Sequence, residues 1–247
     1  MAIQTVRSAQ LIVETTDVSN FIGTIGETPG SVTVQEFTPF GGGGFVHRYA
    51  GLKSGKWSLD GMADHAAAGV STLLAPTLLG SQLGVSIAVP ATGTTTVAGD
   101  WAQFGQGQLT SYKSMASVPG ELMPFGVELE TDGGFVVSGR VGAPLTSYTT
   151  SGLTGTAVAL TGPAAGKSLY AILQVTAASG TNLVVKVQSD DNGSFTSATD
   201  RITFSTVSAV SRQQSSVAGS LTGETHWRVT ATIASGTFSF ACYFGIA

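Results

Sequence analysis

Cys242 is the chain's one cysteine, so no disulfide can form within it and no thiolate cluster can hold a metal. Charge is scarce too. Asp, Glu, Lys and Arg make up 11% of the 247 residues, against about 25% in an average soluble domain. So little charge implies that part of the surface lies against other protein, because a free monomer normally carries more for solubility. The net charge of −4 argues against general nucleic-acid binding, which needs basic groups to neutralise phosphates. No apolar run reaches about 18 residues, so no membrane span is expected. The opening "MAIQTVRSAQLIVE" lacks the apolar block of a signal peptide. The expectation is a protein made in a cytoplasm that stays soluble until it meets its partners.

Catalytic constellations are missing as well. "GPAAGKS" (Gly162–Ser168) has three residues between its glycine and the Gly-Lys pair, one short of a phosphate loop, and it leads into a strand pattern. His47, His65 and His226 are scattered, with no i, i+4 metal pair. Asp190 and Asp191 lack the bidentate Glu of a calcium loop and read as a turn. Cys242 lies on the inward stripe of a strand, where a thiol is inert. The expectation is no enzyme, no cofactor and no metal.

What is present is a β-rich composition, with period-two patterns along most of the chain. Trp57 and Leu59 share a face, as do Met123, Phe125, Val127 and Leu129, with Glu128 and Glu130 on the opposite face. Pro124 predicts an edge or bulged position. One helix is expected in "GMADHAAAGVSTLLAP", capped near Asp60 or Asp64 and ended by Pro76. Further on, Leu169–Val175, Leu183–Val187, Trp227–Ile233 and Phe238–Ile246 each alternate, and Asn192-Gly193 predicts a tight turn with positive φ. These short strands imply a second sandwich, immunoglobulin-like or jelly-roll-like.

The charges divide unevenly. Residues 1–145 hold six Lys/Arg and eleven Asp/Glu, whereas 146–247 hold five and four. Between the halves, "APLTSYTTSGLTGTA" (Ala143–Ala157) is uncharged and rich in Ser, Thr and Gly, which reads as a linker. The expected division is a domain at 1–145, a linker at 146–157 and a sandwich at 158–247.

"GLKSGKWSLDGMADHAAAGVSTLLAPTLLG" resembles the strand-then-helix unit of phage major tail tube proteins, and "GDWAQFGQGQLTSYKSMASVPGELMPFGVELETDGGFVVSGRV" resembles the paired strands that follow it. The resemblance covers residues 1–145. It implies a mainly β fold, a tail-tube sandwich or barrel with one flanking α-helix. It also implies a structural virion protein whose hexameric rings stack into a tube for genome delivery. The partners so implied are further copies of the chain, a tape measure protein and a tail terminator, with DNA passing unbound through the bore. The C-terminal half resembles the surface domains appended to tube proteins of long, non-contractile, siphovirus-like tails. It is expected to project outward, to be dispensable for assembly and to touch cell-surface glycans weakly. The alternative is a carbohydrate- or receptor-binding virion protein, with Tyr148, Tyr170 and Tyr243 as sugar-stacking candidates.

Two sets of residues follow from that resemblance. The long loop of the family reaches a neighbouring subunit, which here assigns Phe40, Gly41, Gly42, Gly43, Gly44, Phe45, Val46 and Tyr49 to an inter-ring contact. Four glycines make a chain that is costly to order alone. An acidic bore would repel DNA and let it slide, so Glu121, Glu128, Glu130 and Asp132 are the candidates to face it.

Overall fold

The computed structural model describes residues 8–37, 47–63, 74, 78–114, 124–131 and 136–247, with the backbone alone at 27–37, 47–54 and 114. Among these residues the order begins β1 (Gln10–Val13), β2 (Thr16–Asp17), β3 (Ile22–Phe37), β4 (His47–Met62), β5 (Gln82–Val89), β6 (Trp101–Ser114), β7 (Pro124–Thr131) and β8 (Val137–Tyr148). It continues through β9 (Gly152–Leu153), β10 (Val158–Ala159), β11 (Ser168–Ala178), β12 (Thr181–Asp190), β13 (Thr199–Thr203), β14 (Ser211–Ala218), β15 (His226–Ser235) and β16 (Phe238–Ile246). The fold is mainly β, and the chain divides into two compact units. One comprises residues 1–20, 84–105 and 137–247, the other 21–83 and 106–136.

The first unit is built around eight strands in two antiparallel sheets, ordered β8-β16-β11-β14 and β10-β15-β12-β13. That order is two interleaved Greek keys, a jelly roll, and it decides between the two sandwiches the strand patterns allow. The inward stripes meet between the sheets. Leu169, Ala171, Leu173 and Val175 of β11 and Phe238, Phe240, Cys242 and Phe244 of β16 pack on Leu183, Val185, Val187, Trp227 and Val229. The indole of Trp227 donates to the Leu160 carbonyl at 2.7 Å, so its one polar atom is satisfied in the core.

Residues 146–157, expected as a linker, belong to this sandwich. Thr146–Tyr148 finish β8 and pair with Phe238–Phe240, and Gly152–Leu153 pair with β15. The Tyr148 hydroxyl donates to the carbonyls of Pro144 and Thr154 at 2.8 and 3.2 Å, tying the connection down. The jelly roll therefore starts at Val137. Thr146 and Ser147 are exposed strand residues, and their Ser/Thr character gives the stretch the composition of a linker.

The sheet holding β8 continues through β6 and β5 to β1 and β2. Residues at both ends of the chain thus share one unit. Glu14 joins them. It adopts φ +54°, its Oε1 accepts from the Gly84 amide at 2.6 Å, and its Oε2 accepts from Arg212 Nε at 3.0 Å. Its carbonyl accepts from the buried Gln174 side-chain amide at 2.8 Å. Glycine at 84 leaves room for the Arg212 side chain, whose Cδ would lie 2.1 Å from a Cβ there and would have to move for any larger residue.

The second unit is an antiparallel sheet ordered β3-β4-β7-β6, using the latter half of β6. Trp57, Leu59, Leu109, Phe125, Val127 and Leu129 are all buried, as their alternation predicts. Pro124 opens β7 opposite Met62, a place where a missing N–H is tolerated. Asp60 and Met62, expected at the start of a helix, are still in β4, because their alternation with Leu59 and Gly61 continues the β7 pairing. Of the rest of the expected helix, Leu74 is in a turn, and 64–73 and 75–76 lie outside the described residues.

Candidate assembly surface

The sheet of the second unit has two unlike faces. Register places Leu109, Leu129 and Trp57 side by side, and Tyr112, Val127 and Leu59 beside one another in the next row. On the opposite face Gln108, Glu130 and Lys56 form one row, Ser111, Glu128 and Ser58 the next, and Lys113, Gly126 and Asp60 the third. Gly126 leaves room for Asp60, whose Oδ1 would lie 2.6 Å from a Cβ there. This polar face is a checkerboard of two cations and three carboxylates among its described side chains.

Lys56 is the centre of that pattern. Its Nζ pairs with Glu128 at 3.0 Å, and it stands opposite Glu130 in the register. The Lys56 hydrogen bond holds the Glu128 carboxyl below its ordinary pKa, with Lys113 adding to the effect. Glu128 is half-buried and partnered, while Glu130 is exposed. The alternation along β7 shows both carboxylates, but no short-range pattern shows the pairing, because Lys56 reaches Glu128 across strands far apart in sequence.

The long strands β3 and β4 form a hairpin paired from Ile22↔Gly61 to Phe37↔His47. β4 has β7 on its other side, whereas β3 has β4 as its one strand partner among the described residues. A 16-residue strand with one edge unpaired among the described residues is a template for pairing with another chain. Tyr49 lies in β4 opposite Gln35. Phe40, Gly41–Gly44, Phe45, Val46, Glu121 and Asp132 lie outside the described residues.

Elsewhere the candidates resolve as follows. Among the described residues no three His, Cys, Asp or Glu side chains come together as a metal site. "GPAAGKS" is a turn into β11, with Lys167 N donating to the Ala164 carbonyl at 3.1 Å and Gly166 at φ +79°. Burial pushes the Cys242 thiol far up from its ordinary value, so the reactive thiolate is suppressed. Two tyrosines proposed for sugar stacking are engaged inside: Tyr243 is fully buried and Tyr148 packs on Phe240 with ring centroids 4.4 Å apart. Tyr170 is half-buried. The positive φ of the β12–β13 turn belongs to Phe195 (+53°), and neither Asn192 nor Gly193 adopts it.

No family model matches the chain, and no curated protein matches it in sequence. Solved structures similar to parts of it include a chain of the PVC extracellular contractile injection system, from its sheath–tube complex in the extended state. That match has 13% identity and a TM-score of 0.41, over 56% of this chain and 91% of the other. A chain of the native gene transfer agent virion matches at 13% identity and a TM-score of 0.38, over 54% and 97%. The Dit protein (gp 19.1) of SPP1, described as a hub of the adsorption apparatus, matches at 10% identity and a TM-score of 0.36, over 98% and 100%.

Proposed function

We propose that this chain is a structural virion protein that self-assembles into hexameric rings stacked as the tube of a long phage tail. The observation that carries the reading is the edge of β3, unpaired among the described residues, on a sheet with one buried apolar face and one polar face. Such a sheet is incomplete in a monomer. Pairing β3 with the next subunit removes the edge, and a head-to-tail contact of this kind closes into a ring when the rotation permits. The sequence resemblance of residues 1–145 to tail tube proteins supports the same reading and gives the hexamer and the stacking. The glycine-bearing segment between β3 and β4 is then the inter-ring contact, and a tape measure protein and a tail terminator are the other partners.

The polar face is proposed to line the bore. Mixed charge with a carboxylate in excess offers DNA no run of cations, so counterion release cannot hold it. Glu130 contributes the exposed negative charge, and Lys56 moderates Glu128. The jelly roll is proposed to stand on the outside. Sedimentation and negative-stain imaging across a concentration series test the reading. Rings and tubes at high concentration support it, and a monomer at every concentration refutes it. Assembled tubes should also fail to retain duplex DNA at low salt.

A further inference from the structure

The outward face of the smaller jelly-roll sheet carries a guanidinium held from several sides. Arg228 on β15 stands opposite Gln188 on β12, and its Nε donates to Gln188 Oε1 at 2.8 Å. Gln188 in turn donates to Asp200 Oδ1 at 2.7 Å, while Lys186 Nζ donates to Asp200 Oδ2, also at 2.7 Å. Lys186 first and Gln188 second hold the Asp200 carboxyl below its ordinary pKa. Beneath the guanidinium lies the Phe195 ring, 4.3 Å from Cζ to the centroid. Three strands and a turn thus orient one arginine.

The turn under Arg228 is itself built at a cost. Phe195 sits at φ +53°, a conformation that a bulky side chain rarely takes. It is held there by its own network. Asp190, buried beside the turn, accepts from Ser197 N at 2.9 Å, and Asn192 Oδ1 accepts from Ser194 N at 2.9 Å. Strain of this kind survives where the surroundings over-determine it, and it collects at binding sites. Here its product is an aromatic platform, 9% exposed, that fixes the plane of the guanidinium.

On this face Lys186 has a carboxylate partner and Arg228 has none among the described residues. With Nε engaged by Gln188, the two Nη groups form an open fork, the geometry that takes a carboxylate through two parallel hydrogen bonds. Thr230, two residues along β15 on the same face, adds a hydroxyl beside it. The site lies on the face of β15, whose two edges are taken by β12 and by β9 and β10. A peptide that docks by strand addition needs a free edge, which β15 does not offer, whereas a sugar ring needs a flat polar face with oriented donors.

We propose that Arg228, held over Phe195, binds the carboxylate of an acidic saccharide of the uronate class, with Gln188 and Thr230 reaching its hydroxyls. The proposal deepens the placing of the jelly roll on the outside of the tube and rests on it for its biological setting. The binding itself can be read whether or not the protein assembles. Saturation-transfer NMR on the full chain, with sodium glucuronate, glucuronamide and sodium acetate as probes, tests it. Glucuronate should give saturable transfer at millimolar concentration. Glucuronamide, which keeps the ring but loses the charge, and acetate, which keeps the charge but loses the ring, should each bind about ten-fold more weakly. Arg228→Lys should weaken glucuronate binding about ten-fold while a weaker charge preference over glucuronamide remains, because the charge stays and the fork goes. Equal transfer from glucuronate and glucuronamide, equal transfer from glucuronate and acetate, or no transfer at all would overturn the proposal. The ligand comparison decides the matter even if the variant fails to fold.

Discussion

Glu14 ties together three parts of the first unit that are far apart in sequence. It satisfies the Gly84 amide, pairs with Arg212 and offers its carbonyl to Gln174. Glu14→Ala leaves the Gly84 N–H and a largely covered guanidinium without an acceptor, a loss of about 2 kcal/mol by the usual cost of an orphaned donor. Urea unfolding of the two proteins measures it. Nothing in the sequence marks Glu14, because its partners lie 70 to 198 residues away. The acid limb of stability belongs to this scale too. Burial opposes the charged form of Asp190, but the Ser197 amide first and other local hydrogen bonds after it hold the carboxyl below its ordinary value. Asp200 is lowered by Lys186 and Gln188. A carboxylate whose folded pKa is depressed stabilises above its unfolded pKa and loses that contribution as pH falls through the folded value. The fold should therefore weaken as pH drops below about 4, and Asp200→Asn should flatten that decline. Melting temperatures between pH 2 and 7 read the slope.

At the scale of elements, the open edge of β3 makes the plainest demand. Thr24 is exposed on β3 opposite Asp60, on the polar face. Thr24→Lys, together with a second lysine at Thr28, places charge along the edge that native proteins use to block pairing. Assembly should fall at least ten-fold by sedimentation while the thermal midpoint of the subunit changes little. The strands themselves were legible where one face is buried. Trp57, Leu59, Phe125, Val127 and Leu129 lie in the alternation the sequence shows, as do the stripes of β11, β12, β15 and β16. The Ala143–Ala157 stretch was not, because a strand whose outward residues are Ser and Thr has the composition of a linker. Pairing with β16 decides the matter there, and that partner lies about 90 residues on. The β12–β13 turn misled for a related reason. Asn192-Gly193 suits a two-residue hairpin, yet the longer turn is organised by Asp190 and places the left-handed residue at Phe195. The candidate assembly face was legible only as charge alternation. Its pairing through Lys56 and the open edge of β3 depend on which strands are neighbours.

For the whole molecule, the interleaving of the chain argues against simple removal of the C-terminal part. β8 is a strand of the jelly roll, and residues 1–20 and 84–105 belong to the same unit. A chain ending near Ser147 would strip β16 from β8 and leave Ala143 and Tyr148 uncovered. That truncation should be insoluble or molten, losing near-UV circular dichroism and binding a hydrophobic dye. A folded, assembling truncation would restore the simpler division into domains. The central claim is that the subunit completes its sheet with a neighbour, and cryo-electron microscopy of the concentrated full chain tests it most directly. The account predicts stacked rings in which the free edge of β3 is hydrogen-bonded to an adjacent subunit, with Lys56, Glu128 and Glu130 facing the bore. A protein that stays monomeric, or tubes in which that edge of β3 faces solvent, would contradict it.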